Sequence, residues 1–184
     1  MIKDFQRQLN QLQVLLDALV LALSYSLAWY FAIKNPIFPQ GHGVLSPRFY
    51  FTVLIPMIPA YLFLYWILGL YKPMRTIRMK TALFRIIQSN SIGLLLSASI
   101  LFAFRKSGYF EHYSTRMLGF FYIFSICITT VERYALRRTL SPLRKRGFNQ
   151  KHIILVGFSP VSDRFIDLCK KNPDWGYRIY GIVD

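Results

Sequence analysis

The chain has 184 residues, 54% of them hydrophobic and 17% aromatic, and carries a formal net charge of +15. So much apolar and aromatic side chain excludes an ordinary water-soluble globule of this size. The basic residues flank the apolar stretches instead of gathering on a polar domain, which argues against a nucleic-acid partner and for charge that orients membrane spans. Cys127 and Cys169 make neither a disulfide framework nor a metal pair, and both read as packing residues.

Residues 1–13 place Phe5, Leu9 and Leu12 at helical spacing among glutamines, the pattern of an amphipathic helix lying along a membrane surface. Residues 14–134 read as a domain of four transmembrane helices, over Val14–Ile33, Phe49–Tyr71, about Thr81–Phe104 and about Met117–Tyr134. Each approaches the roughly 20 apolar residues that a hydrocarbon core of about 30 Å demands. Pro56 and Pro59 fall inside the second span, where lipid tolerates them and a kink is expected. Trp29, Tyr30 and Phe31, then Phe49, Tyr50 and Phe51, then Trp66 and Tyr71 stand near span ends as headgroup belts.

Loop charge sets the expected orientation. Lys72, Arg75, Arg78, Lys80 and Arg85 follow span two, and a basic joint follows span four, which puts both termini in the cytoplasm. Two ridges of small residues, Ala18, Ala22 and Ser26 in the first span and Ser89, Gly93 and Ser97 in the third, predict that these two helices pack on each other. Asp17 is the carboxylate inside an apolar span. It lies near enough to the cytoplasmic end to reach the interface or to pair with Arg85 or Arg133, and a proton pathway would need further polar partners at mid-depth, of which the sequence displays none. His42 and His112 fall in outer loops without a ligand set.

Residues 135–151, with Arg137, Arg138, Arg144, Lys145 and Arg146, form a basic linker suited to anionic headgroups. Residues 152–184 then read as one βαβ unit of an incomplete Rossmann-like α/β domain: strand His152–Val156, a turn at Gly157, helix Pro160–Lys171 and strand Tyr177–Val183. Ser159 is the predicted N-cap and Pro160 the first helical residue, while Asn172 and Pro173 end the helix. A dinucleotide site would want G-x-G-x-x-G at this turn, and only Gly157 is in place; Asp184 stands where a ribose-binding acid could sit. A single βαβ unit cannot cover both faces of its sheet, so the expectation is a fragment, an early end or a partner that completes the fold.

Several segments carry a resemblance. Leu15-Leu16-Asp17 leads to Leu27-Ala28-Trp29; Gly69-Leu70-Tyr71 precedes Arg75 and Arg78; Arg116 opens span four; Arg144–Val156 reads RKRGFNQKHIILV; and Asn172–Arg178 reads NPDWGYR, running on to Gly181–Asp184. With these the chain resembles the N-terminal part of a polyprenyl glycosylphosphotransferase, the membrane family that begins exopolysaccharide, capsule or O-antigen assembly. The resemblance implies a plasma-membrane, multi-pass protein with a Rossmann-like domain and a C-terminal catalytic domain that transfers a phosphosugar from a nucleotide sugar to undecaprenyl phosphate. That catalytic domain, with its Asp-Glu pair and magnesium site, is absent from these residues. The resemblance therefore assigns no catalytic, cofactor-binding or metal residue here. It leaves the chain an accessory membrane anchor, inactive alone, with lipid as its partner and a homo-oligomer compatible. Membrane-bound nucleotide-sugar dehydratases share this front end and form the alternative, as does a non-enzymatic membrane scaffold.

Overall fold

A computed structural model describes residues 2–34, 46–71, 79–104, 113–145, 151–157, 159–172 and 176–183, with backbone alone at 2–9, 143–145, 151, 152 and 182. His42, His112, the loop 72–78, Arg146, Phe158, Pro173–Trp175 and Asp184 lie outside the described residues. The chain divides into two compact units, one of Asn10–Lys72 with Ile77–Glu132, the other built on Arg133–Asp184.

The first unit holds most of α1 (Ile2–Trp29, extended by a π-helical turn at Tyr30–Lys34), α2 (Pro47–Ile67), α3 (Met79–Ala103) and most of α4 (Thr115–Lys145). All four are long and apolar enough to cross a membrane. The outer surface is as apolar as the interior: α1 turns Leu12, Leu15, Leu19 and Leu23 outward, α2 turns out Ile55 and Phe63, and α3 turns out Phe84, Leu95 and Phe102. Helices apolar all round are stable in lipid or deep in protein, and here the outer side is uncovered.

Each helix buries one face. On α1 it is Asp17, Leu21, Ser24, Tyr25, Ala28 and Ala32; on α2 Tyr50, Met57, Tyr61 and Tyr65; on α3 Ala82, Ile86, Ser89, Asn90 and Gly93; on α4 Met117, Phe121, Ser125 and Thr129. These recur at three, four or seven residues, the spacing that returns a side chain to one side of a helix. Pro56 and Pro59 both sit on the exposed side of α2, whose helix continues through them.

The expected pairing of α1 with α3 through their small residues is not what forms. Among the described residues the close helix pair is α2 with α3. Gly93 faces the ring of Tyr61, so closely that a Cβ on it would fall 2.5 Å from Tyr61 Cε1. The ridge on α3 does admit a close neighbour, but the neighbour is an aromatic ring on α2 instead of the backbone of α1. Small residues create room, and what fills it depends on the facing helix.

Sequence expectation also ends the fourth helix too early. The segment 135–151 is helical as far as Lys145, with Pro142 inside the helix and exposed. Leucine and arginine favour the helix, and at an exposed proline, water can bond the carbonyl that lacks its N–H.

In the second unit, β1 (Lys151–Val156) pairs in parallel with β2 (Tyr177–Val183) around α5 (Pro160–Lys171). The register runs Lys151↔Tyr177 to Ile153↔Ile179, then resumes at Ile154↔Gly181, so Tyr180 is the extra residue of a bulge. Ser159 caps α5, its Oγ accepting from the Ser162 N–H at 3.3 Å, and Pro160 opens the helix. Phe165 lies against Tyr177 with ring centroids 6.1 Å apart. Ile154 and Val156 alternate with half-buried Ile153 and Leu155 and remain exposed, so one face of the strand pair is uncovered.

Candidate functional site: a tyrosine column, a polar seam and the turn after β1

The interior of the four-helix unit is organised by tyrosines. Tyr25 on α1 donates its hydroxyl to the carbonyl of Tyr50 at 2.8 Å and lies 3.1 Å from the Tyr113 hydroxyl. Since the single Tyr25 proton is spent on Tyr50, Tyr113 is the donor in the second bond. Burial pushes the Tyr113 hydroxyl up to about 12. The rings then continue edge to face, Tyr25 on Phe121 at 5.7 Å and Phe121 on Tyr61 at 5.4 Å, with Tyr65 following at 6.5 Å. Such pairs add about 0.5–1.5 kcal/mol each beyond area burial.

At the C-terminal end of α2 the column meets a Schellman turn. Leu70 N–H bonds the carbonyl of Tyr65 at 2.9 Å, Gly69 N–H bonds that of Trp66 at 3.1 Å, and Gly69 takes φ +72. Leu70 is wholly buried, and Arg85 donates to the Gly69 carbonyl at 3.3 Å. The Gly-Leu-Tyr triplet is thus a helix stop held from α3. One turn further into α3, Tyr65 donates to Asn90 Oδ1 at 3.2 Å while Asn90 Nδ2 donates to the Ile86 carbonyl at 2.9 Å. Ser91 and Tyr122 join α3 to α4 at 2.9 Å.

Asp17 is wholly buried within this unit, not at an interface with water. The interior holds more polar groups than the sequence displays: Ser24, Ser89, Asn90, Ser125 and Thr129 are buried as well. The hydroxyls of Ser24, Ser89 and Ser125 donate back to Val20, Arg85 and Tyr122 carbonyls of their own helices. These three serines, satisfied within their own helices, let the helices pack closely, whereas the buried Thr129 hydroxyl has no hydrogen-bond partner among the described residues. Tyr25, Tyr61, Tyr65 and Asn90 were not legible as a site. The signal lay in the spacing of Tyr50, Met57, Tyr61 and Tyr65 on one face of α2.

Cys169 is buried, and burial raises its thiol, whereas Cys127 is exposed on α4 and is not the packing residue expected. Asp163 and Asp167 are both exposed on α5. Among the described residues no three His, Cys, Asp or Glu side chains gather as a metal would need.

At the turn after β1, Gly157 adopts φ +82 and its N–H is spent on the Val183 carbonyl at 2.8 Å. The Ser162 N–H goes to Ser159 Oγ, the Asp163 N–H to the Ser159 carbonyl at 3.1 Å, and the Ser162 hydroxyl to the Gly157 carbonyl at 3.1 Å.

A family model described as a CoA-binding domain matches residues 66–184, well over half of the chain, and the chain belongs to that family. The match begins at the end of α2, so it takes in α3 and α4 together with the βαβ unit. The domain is found in sugar transferases, polyprenyl glycosylphosphotransferases among them. No curated protein and no solved structure matches the chain. Among the described residues, the turn after β1 is poorly supplied with free amides for a pyrophosphate such as that of CoA. Pyrophosphates are held by uncommitted amides at a helix start, and here Pro160 has none, three neighbouring N–H groups are already bonded, and Asp163 adds negative charge to the first turn.

Proposed function

We propose that this chain is the membrane-anchoring, accessory N-terminal region of a sugar transferase that passes a phosphosugar from a nucleotide sugar to undecaprenyl phosphate at the start of exopolysaccharide or capsule assembly. The observation that carries it is the joining of four span-length helices to a βαβ unit within a domain family found in sugar transferases. The work of these residues is to place a polar domain at the inner surface of the plasma membrane, both termini cytoplasmic, with anionic headgroups beside the basic end of α4. The packing supports that role. Aromatic stacking and a helix stop held from α3 suit an anchor.

The test uses the protein as the cell makes it. An N-terminal tag at the chromosomal locus, purification in nanodiscs and incubation with undecaprenyl phosphate, magnesium and a panel of radiolabelled UDP-sugars should label the lipid. Residues 1–184 alone should label none. Labelling by the short chain, or none by the native product with any sugar of the panel, would refute the reading.

A further inference from the structure

Between the C-terminal part of α3 and the start of α4 the four-helix unit leaves a cavity of about 420 Å³, within the range of about 300–1,000 Å³ that small-molecule sites occupy. Ala98, Tyr113 and the buried Leu118 line it on the inner side, and the exposed Leu95, Phe102 and Thr115 form its rim. Its polar atoms are largely spent: Tyr113 donates to the Tyr25 hydroxyl at 3.1 Å and Ser99 to the Leu95 carbonyl at 2.8 Å. Such a lining offers a polar ligand few bonds and suits a hydrocarbon chain. From Leu95 to Phe102 it follows α3 for about 10 Å at 1.5 Å per residue, most of the roughly 15 Å that the hydrocarbon of one leaflet measures. No charged residue stands between Arg85 and Arg105 in the sequence, and Leu96 and Ile100 beside the groove are exposed and apolar. Leu95 is ten residues from Arg85, about 15 Å along the helix.

We propose that this groove holds an acyl chain of an anionic phospholipid in the leaflet remote from Arg85, with the lipid phosphate beside Arg116. Arg116 is exposed and follows Thr115 of the rim. Its long stem carries the guanidinium to a headgroup at the mouth of the groove, where it bonds a phosphate strongly. Charge thus selects the head and the apolar lining selects the chain. The side of the membrane selects between lipids: a polyprenyl phosphate that accepts a sugar at the cytoplasmic surface carries its phosphate at the other end of α3, by Lys80 and Arg85. A phospholipid of the far leaflet has its head and chain at the depths where Arg116 and the groove stand. The inference rests on α3 and α4 spanning a bilayer, and its choice of lipid on the orientation given above.

The experiment uses the full chain in vesicles of phosphatidylethanolamine and phosphatidylglycerol, with a trace of phosphatidylglycerol bearing a diazirine on one acyl chain. After irradiation, peptide mass spectrometry locates the labelled residues. Leu118, 7% exposed, should be labelled at least as heavily as Leu19 on α1, 59% exposed. Labelling that simply follows exposure reports passing lipid and overturns the proposal. Ala98→Phe places a ring in the groove and should cut labelling of Leu118 severalfold while leaving that of Leu19 unchanged; undiminished labelling of Leu118 overturns the proposal as well. One basic residue beside an anionic headgroup is worth about fivefold in affinity. The phosphatidylglycerol probe should therefore label Leu118 about that much more than a phosphatidylcholine probe does, and Arg116→Gln should abolish the difference. Equal labelling by the two probes in the unaltered chain overturns the anionic head. A polyprenyl phosphate probe that labels Leu118 more heavily than phosphatidylglycerol at equal mole fraction overturns the choice of lipid. Loss of the protein from carbonate-washed vesicles overturns the spanning reading and the groove with it.

Discussion

Placing alanine at Gly93 and, separately, at Gly119 sets packing against propensity in a single comparison. Both glycines are interior to long helices, so each substitution gains up to about 1 kcal/mol of helix propensity. The surroundings differ. A Cβ at Gly93 would meet Tyr61 Cε1 and Cζ at 2.5 Å and its hydroxyl oxygen at 2.9 Å, whereas at Gly119 nothing lies within 4 Å. The Tyr61 ring has little freedom to withdraw, being buried and wedged against Phe121 at 5.4 Å. Overpacking of this kind costs about 1–3 kcal/mol. The propensity gain is common to both variants, so their difference isolates that cost, and Gly93→Ala should be less stable than Gly119→Ala by about 1–3 kcal/mol. Reversible unfolding in mixed micelles, titrated with SDS, measures both. Removing the ring with Tyr61→Leu should abolish the penalty of Gly93→Ala. Equal stability of the two alanine variants, or a penalty that survives in the Tyr61→Leu background, would refute the packing argument.

Ser159→Ala should cost α5 about 0.5–2 kcal/mol; the Ser162 amide should exchange with solvent faster, while the Asp163 amide, bonded to the Ser159 backbone carbonyl, keeps more of its protection, and an unchanged Ser162 rate would dismiss the cap. For orientation, cysteines introduced at Gly41 or Gly108 in the background lacking Cys127 and Cys169 should react with an impermeant maleimide in intact cells. Met74→Cys should stay protected until the membrane is opened, and the reverse pattern would invert the topology.

Much of the fold was legible because its signals are local. Span length, the capping Ser159-Pro160 pair and the period-two strands each depend on a few neighbouring residues, and α5 and β2 run as the sequence predicts, Pro160–Lys171 and Tyr177–Val183. The end of span four was less legible: residues 135–151 read as a linker from their basic charge, and charge alone does not end a helix, which runs on to Lys145 with Pro142 inside it. Tyr50 shows the same difficulty inside the membrane. By sequence it is one of three aromatics near a span end, but it is 1% exposed and accepts the Tyr25 hydroxyl at its carbonyl. Composition identifies residues that suit a headgroup region; only the facing helix decides whether they turn inward.

The amides of α3 show where such reading can be pushed further. Asn90 and Gln88 are two residues apart, and at about 100° per residue their side chains point some 200° apart, so no rotation of α3 can bury both against its own bundle. One must face the bundle and the other must face away. Asn90, bonded to Tyr65 and to the Ile86 carbonyl, fixes the rotation. Gln88 is then committed to the outer side by geometry alone, whatever its solvation there. Asn90→Leu removes the acceptor of the Tyr65 hydroxyl and the bond to the Ile86 carbonyl, and should lower stability in SDS-titrated unfolding by about 1–3 kcal/mol. Unaltered stability in that variant would mean that the rotation of α3 is set by the Tyr61–Gly93 contact and not by the amide.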